Sequence, residues 1–310
     1  MKFSLCLTPS HAWADVLRIA EHTERSGWEG VWFPDHFMPS EGEPSRPVLE
    51  CWSTLAGLAA VVPRVRLGAL VSGNTYRHPA VLANIAVAAD HVSGGRVVLG
   101  IGAGWQENEH AAYGIHFGST GQRLDRLEEA CQVIRDLRDR DHVTFHGEHY
   151  QLTDASMHPK PVGRLPLLVG GGGERRTIPI AARYADEWNA WATVETFAHK
   201  AGILERACER AGRDPRDLRR STQALLELRA PGLPRRPFPG RLPVVEGSVE
   251  QLRDTLGRYA TAGVDEFIVP GFRPQHPDET IALIDVLTSE VLPALPGSCT
   301  PHQGRPPCPK

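Results

Sequence analysis

The sequence lacks the features that mark several large classes of protein. No apolar run approaches the ~20 residues that a membrane span needs. The apolar start at residues 1–7 is broken by Pro9 and Ser10, which leaves it too short for the h-region of a signal peptide. The six cysteines form no CxxC pair and no regular spacing, so neither a disulfide framework nor a zinc site is predicted. These absences favour a protein of the reducing cytoplasm.

An excess of charge of one sign is also missing. The 310 residues carry 34 basic and 37 acidic side chains, a formal net charge of −3, with no run of like charges. Binding to nucleic acid or to an anionic membrane would need a clustered excess of basic residues. We therefore expect a small-molecule substrate, and no nucleic-acid or membrane partner.

What the sequence does contain is an alternation of short apolar runs and amphipathic stretches. This order predicts parallel strands, each followed by a helix. The predicted strands cover residues 2–7, 30–34, 65–71, 97–102, 165–169, 187–191, 221–229 and 266–269. The predicted helices cover residues 13–26, 52–62, 81–92, 123–137, 175–184, 197–211, 249–262 and 279–291. An α/β fold of the closed (β/α)8 TIM barrel type accommodates eight such units, and an open doubly wound sheet is the alternative.

Three segments fall outside this repeat. Residues 143–152 contain a central glycine and are predicted to form a hairpin inserted between barrel units. Residues 231–243 are rich in proline and arginine, which predicts a surface loop or an internal linker. We expect one barrel domain over residues 1–295 and a disordered C-terminal tail over residues 296–310.

The candidate functional residues follow the strands, because the active site of a parallel barrel lies at the carboxyl ends of its strands. Asp35 and His36 follow the second strand, and histidine is the side chain best suited to exchange a proton near neutral pH. The structural alternative is a histidine hydrogen-bonded into the barrel rim. Residues 170–173 are four glycines between a strand and a helix, where backbone N–H groups can hold a phosphate with Arg175 and Arg176 in reach. A tight turn would need glycines as well.

Two other motifs predict neither a nicotinamide site nor a metal site. Gly100, Gly102 and Gly104 lack the spacing of a Rossmann fingerprint, so a nicotinamide site is not predicted. His146 and His149 belong to HGEHY, which has neither the HExxH helix nor a third ligand. We therefore predict no metal site.

Four segments carry a resemblance to a known family. They are WFPDHF at 32–37, GALVSGNTYRHPAVLA at 68–83, DHVSGGRVVLGIGAGWQENEHAAYGI at 90–115 and LLVGGGGE at 167–174. Together they resemble the bacterial luciferase-like superfamily, in particular its deazaflavin (coenzyme F420) dependent oxidoreductases, over about residues 1–211. The resemblance implies a (β/α)8 barrel with an inserted hairpin region and a cofactor whose ring system lies in the barrel mouth. That cofactor is F420, with FMN as the alternative.

The resemblance also implies roles for residues of this chain. Asp35 and His36 would lie at the deazaflavin, His36 as proton donor or acceptor and Asp35 orienting it or contacting the cofactor. The other implied cofactor-binding residues are Leu70, Val71, Ser72, Thr75, Asn108, Gly171, Gly172 and Gly173. A non-prolyl cis peptide is implied at about residues 70–72. Trp105 stands where the related sugar-phosphate dehydrogenases have a glutamate, which implies a more apolar substrate pocket shaped by Trp105 and Tyr76.

Three functions are consistent with these residues. The first is hydride transfer between F420 and a small organic substrate, with reduction of an unsaturated bond or an imine as the expected direction. The second is a monooxygenase that uses reduced FMN from a partner reductase to activate oxygen. The third is a non-catalytic flavin-binding protein. A homodimer is expected as the common state of soluble assemblies and of this superfamily.

Overall fold

The structure is a computed structural model that describes residues 1–40, 43, 45–229, 242–271 and 276–295. The expected tail at 296–310 and nearly all of the segment at 231–243 lie outside these residues. The strands are β1 (Lys2–Cys6), β2 (Gly30–Phe33), β3 (Arg66–Ala69), β4 (Ser72–Gly73), β5 (Val97–Gly102), β6 (Val143–His146), β7 (Gln151–Ala155), β8 (Leu167–Gly170), β9 (Glu187–Trp191), β10 (Arg219–Gln223), β11 (Leu225–Leu228), β12 (Val244–Gly247) and β13 (Glu266–Pro270).

The helices lie between the strands in the chain. They are α1 (Trp13–Arg25), α2 (Cys51–Val61), α3 (Pro79–Ser93), α4 (Glu107–Tyr113), α5 (Thr120–Asp139), α6 (Thr177–Tyr184), α7 (Val194–Arg210), α8 (Val249–Thr261) and α9 (Pro277–Val286). A π-helical turn at Leu287–Val291 continues α9, and short 3-10 turns lie at Pro215–Asp217 and Leu292–Ala294. Within the described residues, no helix is both long and apolar enough to cross a membrane.

Eight parallel strands close into a barrel. They are hydrogen-bonded in the order β3-β2-β1-β13-β10-β9-β8-β5, and β3 pairs with β5 to complete the circle. β4 is a short continuation of β3 that pairs with the end of β5. The closure confirms the TIM barrel and excludes the open doubly wound sheet. The predicted hairpin is also confirmed, because β6 and β7 pair antiparallel outside the barrel.

The structure differs from the sequence-based prediction in the seventh strand and in three elements that were not predicted, β4, β12 and α4. The predicted seventh strand at 221–229 is broken after Gln223, and β11 pairs instead with β12 in a separate two-stranded parallel sheet. The apolar residues of the predicted strand continue beyond Gln223, the last residue of β10 that pairs with a barrel strand. The sequence pattern therefore does not reveal the break. The short helix α4 was not predicted, because seven residues are too few for a periodic pattern.

The strands bury side chains on both faces, as parallel barrel strands do. In β2, Val31 and Phe33 pack against the helices, while Trp32 points to the barrel axis. Gly68 on the neighbouring strand makes room for that indole, since a Cβ there would lie 2.6 Å from the Trp32 ring. The other apolar side chains of the interior cluster are Cys6, Leu70, Val98, Leu168 and Ile268.

The amino-terminal end of the barrel interior is polar. Oε1 of Glu266 accepts hydrogen bonds from Ser4 Oγ at 2.5 Å and from Trp32 Nε1 at 2.9 Å. Oε2 of the same side chain accepts from Arg66 Nη1 and from Arg219 Nε, each at 3.1 Å. Glu266 is 0% exposed, and the two guanidinium groups supply the positive charge that a buried carboxylate needs. The charged groups therefore close the end of the barrel opposite the mouth.

Candidate functional site

The floor of the barrel mouth is formed by Val71 and the glycines around it. The peptide bond between Leu70 and Val71 is cis, where a non-prolyl cis peptide was expected. The Val71 methyl groups lie over Gly102 and Gly170, since a Cβ on either glycine would approach them to 2.7 Å. The ends of β5 and β8 therefore carry no side chain, and the partly exposed Val71 covers them. This gives a flat apolar surface on which a planar ring could lie.

His36 lies in the loop after β2, and β2 pairs with β3, the strand that leads into Val71. Its Nδ1 lies 2.7 Å from Oε1 of Glu109, a residue of α4 that follows β5. The His36 side chain is 20% exposed, while that of Glu109 is fully buried. Nε2 of His36 has no partner among the described residues. The imidazole is thus held from behind by a carboxylate and keeps one ring nitrogen for a ligand.

Glu109 accepts two more hydrogen bonds. The backbone N–H of Phe37 donates to Oε2 at 2.8 Å, and the Tyr76 hydroxyl donates to Oε1. Burial by itself raises the pKa of Glu109, but the hydrogen bonds from His36, Phe37 and Tyr76 outweigh it, and the pKa is lowered. The Glu109 carboxyl is therefore ionised at neutral pH. Tyr76, expected to shape an apolar pocket, also carries this polar contact.

Asp35 is paired with Arg77 and has no hydrogen bond to His36. Arg77 donates to Asp35 Oδ2 at 2.6 Å and to Oδ1 at 3.2 Å, and it also donates to Glu50 at 2.6 Å. Burial raises the pKa of Asp35, and the charge of Arg77 opposes that shift. The arrangement ties the loop after β2 to the loop after β4 and to the first turn of α2. The structure thus places Asp35 where it supports the loop that carries His36.

Two residues expected at the cofactor are buried and bonded within the chain. Ser72 is 0% exposed, and its Oγ accepts a hydrogen bond from Trp52 Nε1 at 2.9 Å. The Thr75 hydroxyl lies 2.7 Å from Nε2 of His110, whose Nδ1 donates to the carbonyl of Gln106 at 2.7 Å. Because Nδ1 of His110 donates, its Nε2 accepts from the Thr75 hydroxyl, and the lone pairs of that hydroxyl oxygen are left to accept from a ligand.

Asn108 lies on the exposed side of α4. Its amide donates to the carbonyl of Pro39 at 3.0 Å, and its Oδ1 accepts from the backbone N–H of Glu109 at 2.9 Å. These bonds join α4 to the loop that follows β2. In this structure the side chain of Asn108 is therefore occupied in holding two loops of the mouth together.

The glycine loop after β8 leaves two backbone donors free. The carbonyl of Gly172 accepts a hydrogen bond from Lys200 Nζ at 2.6 Å, and Trp188 Nε1 donates to the carbonyl of Gly171 at 2.9 Å. The N–H groups of Gly172 and Gly173 have no acceptor within the described part of the chain. Two such N–H groups are suited to bind a phosphate, and the ammonium group beside them is also ion-paired with Glu174 at 3.1 Å.

Of the two arginines that follow this loop, Arg176 is bonded to another element and Arg175 stays a prediction. Arg176 bonds to Asp125 at 2.6 Å and to Glu128 at 3.4 Å on α5, away from the loop. Arg175 is exposed, and α6 begins only at Thr177. Lys200, which sequence reasoning missed, is the basic side chain that contacts the loop.

Aromatic side chains form the rim of the mouth. Trp105 is 65% exposed, and its ring meets that of His36 edge to face with centroids 5.5 Å apart. Phe37 lies between Tyr76 and Tyr113, with ring centroids at 5.0 and 5.9 Å. An indole exposed to this extent beside the imidazole offers an apolar surface to whatever binds there.

Glu109, Arg77 and Lys200 were not predicted, although part of the signal was present. Arg77 follows Tyr76 in the quoted TYRHP segment, and the loops after adjacent strands bring it near Asp35. Glu109 lies one residue beyond Asn108, but its burial depends on α4, which the sequence did not reveal. Lys200 lies within α7 and carries no local sign of its contact with the glycine loop.

Comparison with known proteins agrees with this barrel and its mouth. The chain belongs to the luciferase-like monooxygenase family, whose model matches residues 1–230. A curated relative, an F420-dependent glucose-6-phosphate dehydrogenase from Amycolatopsis mediterranei, is 34% identical over 173 residues, which cover 55% of this chain and 50% of that protein. A pyrimidine monooxygenase from Stutzerimonas stutzeri is 34% identical over 171 residues, which cover 53% of this chain and 47% of that protein. This chain therefore spans about half the length of these relatives.

A solved structure extends the comparison to nearly the whole chain. An F420-dependent secondary alcohol dehydrogenase in complex with an F420-acetone adduct superposes with a TM-score of 0.81 and 20% sequence identity. The match covers 95% of this chain and 98% of the other. At this level of identity, the likeness establishes the fold.

Proposed function

We propose that this protein is an F420-dependent oxidoreductase that transfers a hydride between the deazaflavin and a small organic substrate. The observation that carries the proposal is His36 after β2, with Nδ1 held by Glu109 and with no partner for Nε2 among the described residues, while the neighbouring strand β3 leads into Val71. F420-dependent dehydrogenases among the curated relatives and the structural neighbours support the choice of cofactor. When bound, a deazaflavin supplies two-electron hydride chemistry and reacts poorly with oxygen.

The residues of the mouth would supply a proton and an orientation. In a reduction, His36 would first take a proton at Nε2 from solvent and then give it to the substrate atom next to the carbon that receives the hydride, which leaves the ring neutral with its proton on Nδ1. In an oxidation, the same nitrogen takes that proton from a hydroxyl group. We propose reduction of an unsaturated bond or an imine as the direction in cells. Trp105 and the ring of Tyr76 would bind the apolar part of the substrate and exclude water from it.

The residues present fit a phosphate-bearing planar cofactor. The surface made by Val71, Gly102 and Gly170 is apolar and carries no large side chain, which suits a flat ring. The free N–H groups of Gly172 and Gly173, with Lys200 beside them, suit its phosphate. The role that we propose for four other residues is to hold the loops around the cofactor in place. They are Asp35, Ser72, Thr75 and Asn108.

A second function, an FMN-dependent monooxygenase, is favoured by one observation. A pyrimidine monooxygenase is as similar to this chain, over the same share of its length, as the glucose-6-phosphate dehydrogenase is. The two proposals differ in the cofactor bound and in the consumption of oxygen. A non-catalytic flavin-binding protein would bind a cofactor tightly and show no substrate-dependent oxidation of its reduced form.

A paired titration of the purified protein tests the cofactor. F420 and FMN, each oxidised and reduced, are added while fluorescence and heat are followed. We expect F420 to bind at least about tenfold more tightly, which corresponds to about 1.4 kcal/mol. A preference for reduced FMN would reject hydride transfer from F420 and make oxygen consumption the next assay.

His36→Ala tests the proton role. We expect the variant to bind F420 with unchanged affinity and to lose turnover by about 10²-fold or more, because the group that moves the proton is gone. A panel of imines and unsaturated carbonyl compounds with reduced F420 provides the assay. Undiminished turnover would remove His36 from the mechanism.

A cytoplasmic location stays a prediction. For the oligomeric state, we propose a homodimer formed through α2 and α3. α2 contains no charged residue, and the only acidic residue of α3, Asp90, is buried. Val61, Val81 and Val92 on these helices are 49, 53 and 52% exposed. A face without charge is complementary to its own copy, as a twofold interface requires. Burying this face from water would stabilise the pair.

The mass of the protein in solution tests the dimer. We expect light scattering to give the mass of two chains for the wild type and of one chain for Val81→Glu, because the new charge would be buried against the partner. Leu242→Glu is the matched control, since Leu242 is 47% exposed and lies just before β12, which packs against α8. A wild type with the mass of one chain would reject the interface.

A further inference from the structure

Glu109 is a buried carboxylate at the mouth that cannot itself exchange protons with a substrate. Its side chain is 0% exposed. Oε1 lies 2.7 Å from His36 Nδ1 and also accepts from the Tyr76 hydroxyl, while Oε2 accepts from the Phe37 N–H at 2.8 Å. Both oxygens are thus engaged by groups of the chain. A role for Glu109 in the reaction has to pass through one of these groups.

The groups around Glu109 are hydrogen-bond donors. A backbone N–H such as that of Phe37 can only donate. Burial raises the pKa of Tyr76, and the hydrogen bond and charge of Glu109 raise it further, so the hydroxyl stays protonated and donates. An ionised carboxylate can only accept. The proton in the contact between Glu109 and His36 therefore has to come from Nδ1 of the imidazole.

We propose that Glu109 is a positioning residue that holds neutral His36 with its proton on Nδ1, so that the lone pair of Nε2 faces the barrel mouth. A neutral imidazole has one donor and one acceptor nitrogen, and the hydrogen bond made by one nitrogen sets the state of the other. Nε2 has no partner in the described part of the chain. The inference rests on the proposed function only for its effect on catalysis.

The neighbouring carboxylate cannot take this role. Both oxygens of Asp35 are engaged by Arg77 at 2.6 and 3.2 Å, and no hydrogen bond joins Asp35 to His36. The Phe37 N–H adds a second constraint, because it ties the chain next to His36 to the same carboxylate. Glu109 therefore fixes both the tautomer of the ring and the place of the backbone that carries it.

Glu109→Gln changes the tautomer preference with little change of shape. The amide that it introduces has one acceptor oxygen and one donor NH2 group. If the NH2 group lies where Oε1 was, it faces His36 Nδ1, which then has to accept, and the proton moves to Nε2. If the NH2 group lies where Oε2 was, it faces the backbone N–H of Phe37. Both groups are donors, so the hydrogen bond from Phe37 is lost. We expect a mixture of tautomers in this variant.

Nitrogen-15 NMR of histidine-labelled protein without cofactor measures the tautomer directly. The His36 signals are assigned by their loss in His36→Gln, and spectra are recorded at alkaline pH. We expect the wild type to show a protonated Nδ1 and an unprotonated Nε2. Glu109→Gln should move part of the proton to Nε2. Glu107→Gln, an exposed change on the same helix, should leave the signals as they are.

The NMR result decides the inference even if Glu109→Gln does not fold. A wild-type His36 with its proton on Nε2 would overturn it, as would a folded Glu109→Gln variant with unchanged His36 signals. Tyr76→Phe is the second variant, and it should keep the wild-type tautomer because the carboxylate still accepts from Nδ1. A mixed tautomer in Tyr76→Phe would also contradict the inference.

Kinetics then separate this inference from the proposed function. With F420 and a working substrate, Glu109→Gln should lower kcat by about 10²-fold with little change in the affinity for F420. An altered tautomer with unchanged kcat would leave Glu109 as the positioning residue and remove His36 from the proton transfer. An unchanged tautomer with lowered kcat would instead overturn the positioning role.

Discussion

Arg77→Met should destabilise the protein markedly. Arg77 donates two hydrogen bonds to Asp35, whose side chain is 0% exposed, so water cannot take the place of the guanidinium. Removing one partner of a buried ion pair costs about 3–5 kcal/mol. The entropy of unfolding is about 2.1 cal/mol/K per residue, so for 310 residues the loss corresponds to a fall in Tm of about 5–8 °C.

The deficit of Arg77→Met should also grow with pH. Burial raises the pKa of Asp35, and Arg77 lowers it again, so the variant has a still higher pKa at this residue. A carboxyl whose pKa is higher in the folded chain than in the unfolded chain binds protons preferentially when folded. Its contribution to stability is therefore present at low pH and lost as the pH rises above the unfolded value near 3.8. We expect a smaller deficit at about pH 5 than at about pH 8.

Urea unfolding at both pH values, followed by tryptophan fluorescence, measures these free energies. The double variant that adds Asp35→Asn should recover much of the loss and its pH dependence, because the unpaired charge is gone. Arg175→Met is the matched control, an exposed arginine for which the described residues show no ion pair. The reasoning would be refuted by Arg77→Met with wild-type stability at both pH values, or with a deficit that shrinks as the pH rises.

Three further predictions concern the barrel and the glycine loop. Glu266→Ala leaves two arginines without their shared buried carboxylate and should lower the free energy of unfolding by about 3–5 kcal/mol in urea. Gly100→Ala would put a Cβ 2.0 Å from the carbonyl oxygen of Ala69 and should lower Tm strongly. Its control is Gly257→Ala in α8, where a Cβ meets nothing within 4 Å; this variant should raise the free energy of unfolding by up to about 1 kcal/mol. Lys200→Met should weaken F420 binding by about tenfold in the fluorescence titration, since the glycine loop proposed to bind the phosphate loses the ammonium group that holds its Gly172 carbonyl.

Much of the barrel could be predicted because its signals are local. The predicted strand at 97–102 and the strand at 187–191 match β5 and β9 to the residue, since apolar runs between glycines and polar turns mark them. The break between β10 and β11 could not be predicted. It depends on where the barrel ends and on the partner strand β12, which follows later in the chain.

The site could be predicted in part. His36 and the glycine loop were identified because the topology places the carboxyl ends of parallel strands at one mouth. The expected partner of His36 was its neighbour in the chain, but Asp35 pairs with Arg77, 42 residues away, and His36 with Glu109, 73 residues away. Adjacent residues in extended backbone point to opposite sides, so proximity in sequence was a poor guide to contact.

The sequence by itself determined most of the alternation of strands and helices and the loops that follow the strands, because apolar periodicity and glycine act over a few residues. The closure of the sheet through β3 and β5 was decided by the tertiary structure. The tertiary structure alone decided which charges meet. Burial removes water from Asp35, Glu109 and Glu266, and each carboxylate then needs donors that only distant strands and helices bring within reach. The contact with Glu109 in particular fixes the orientation of the His36 ring.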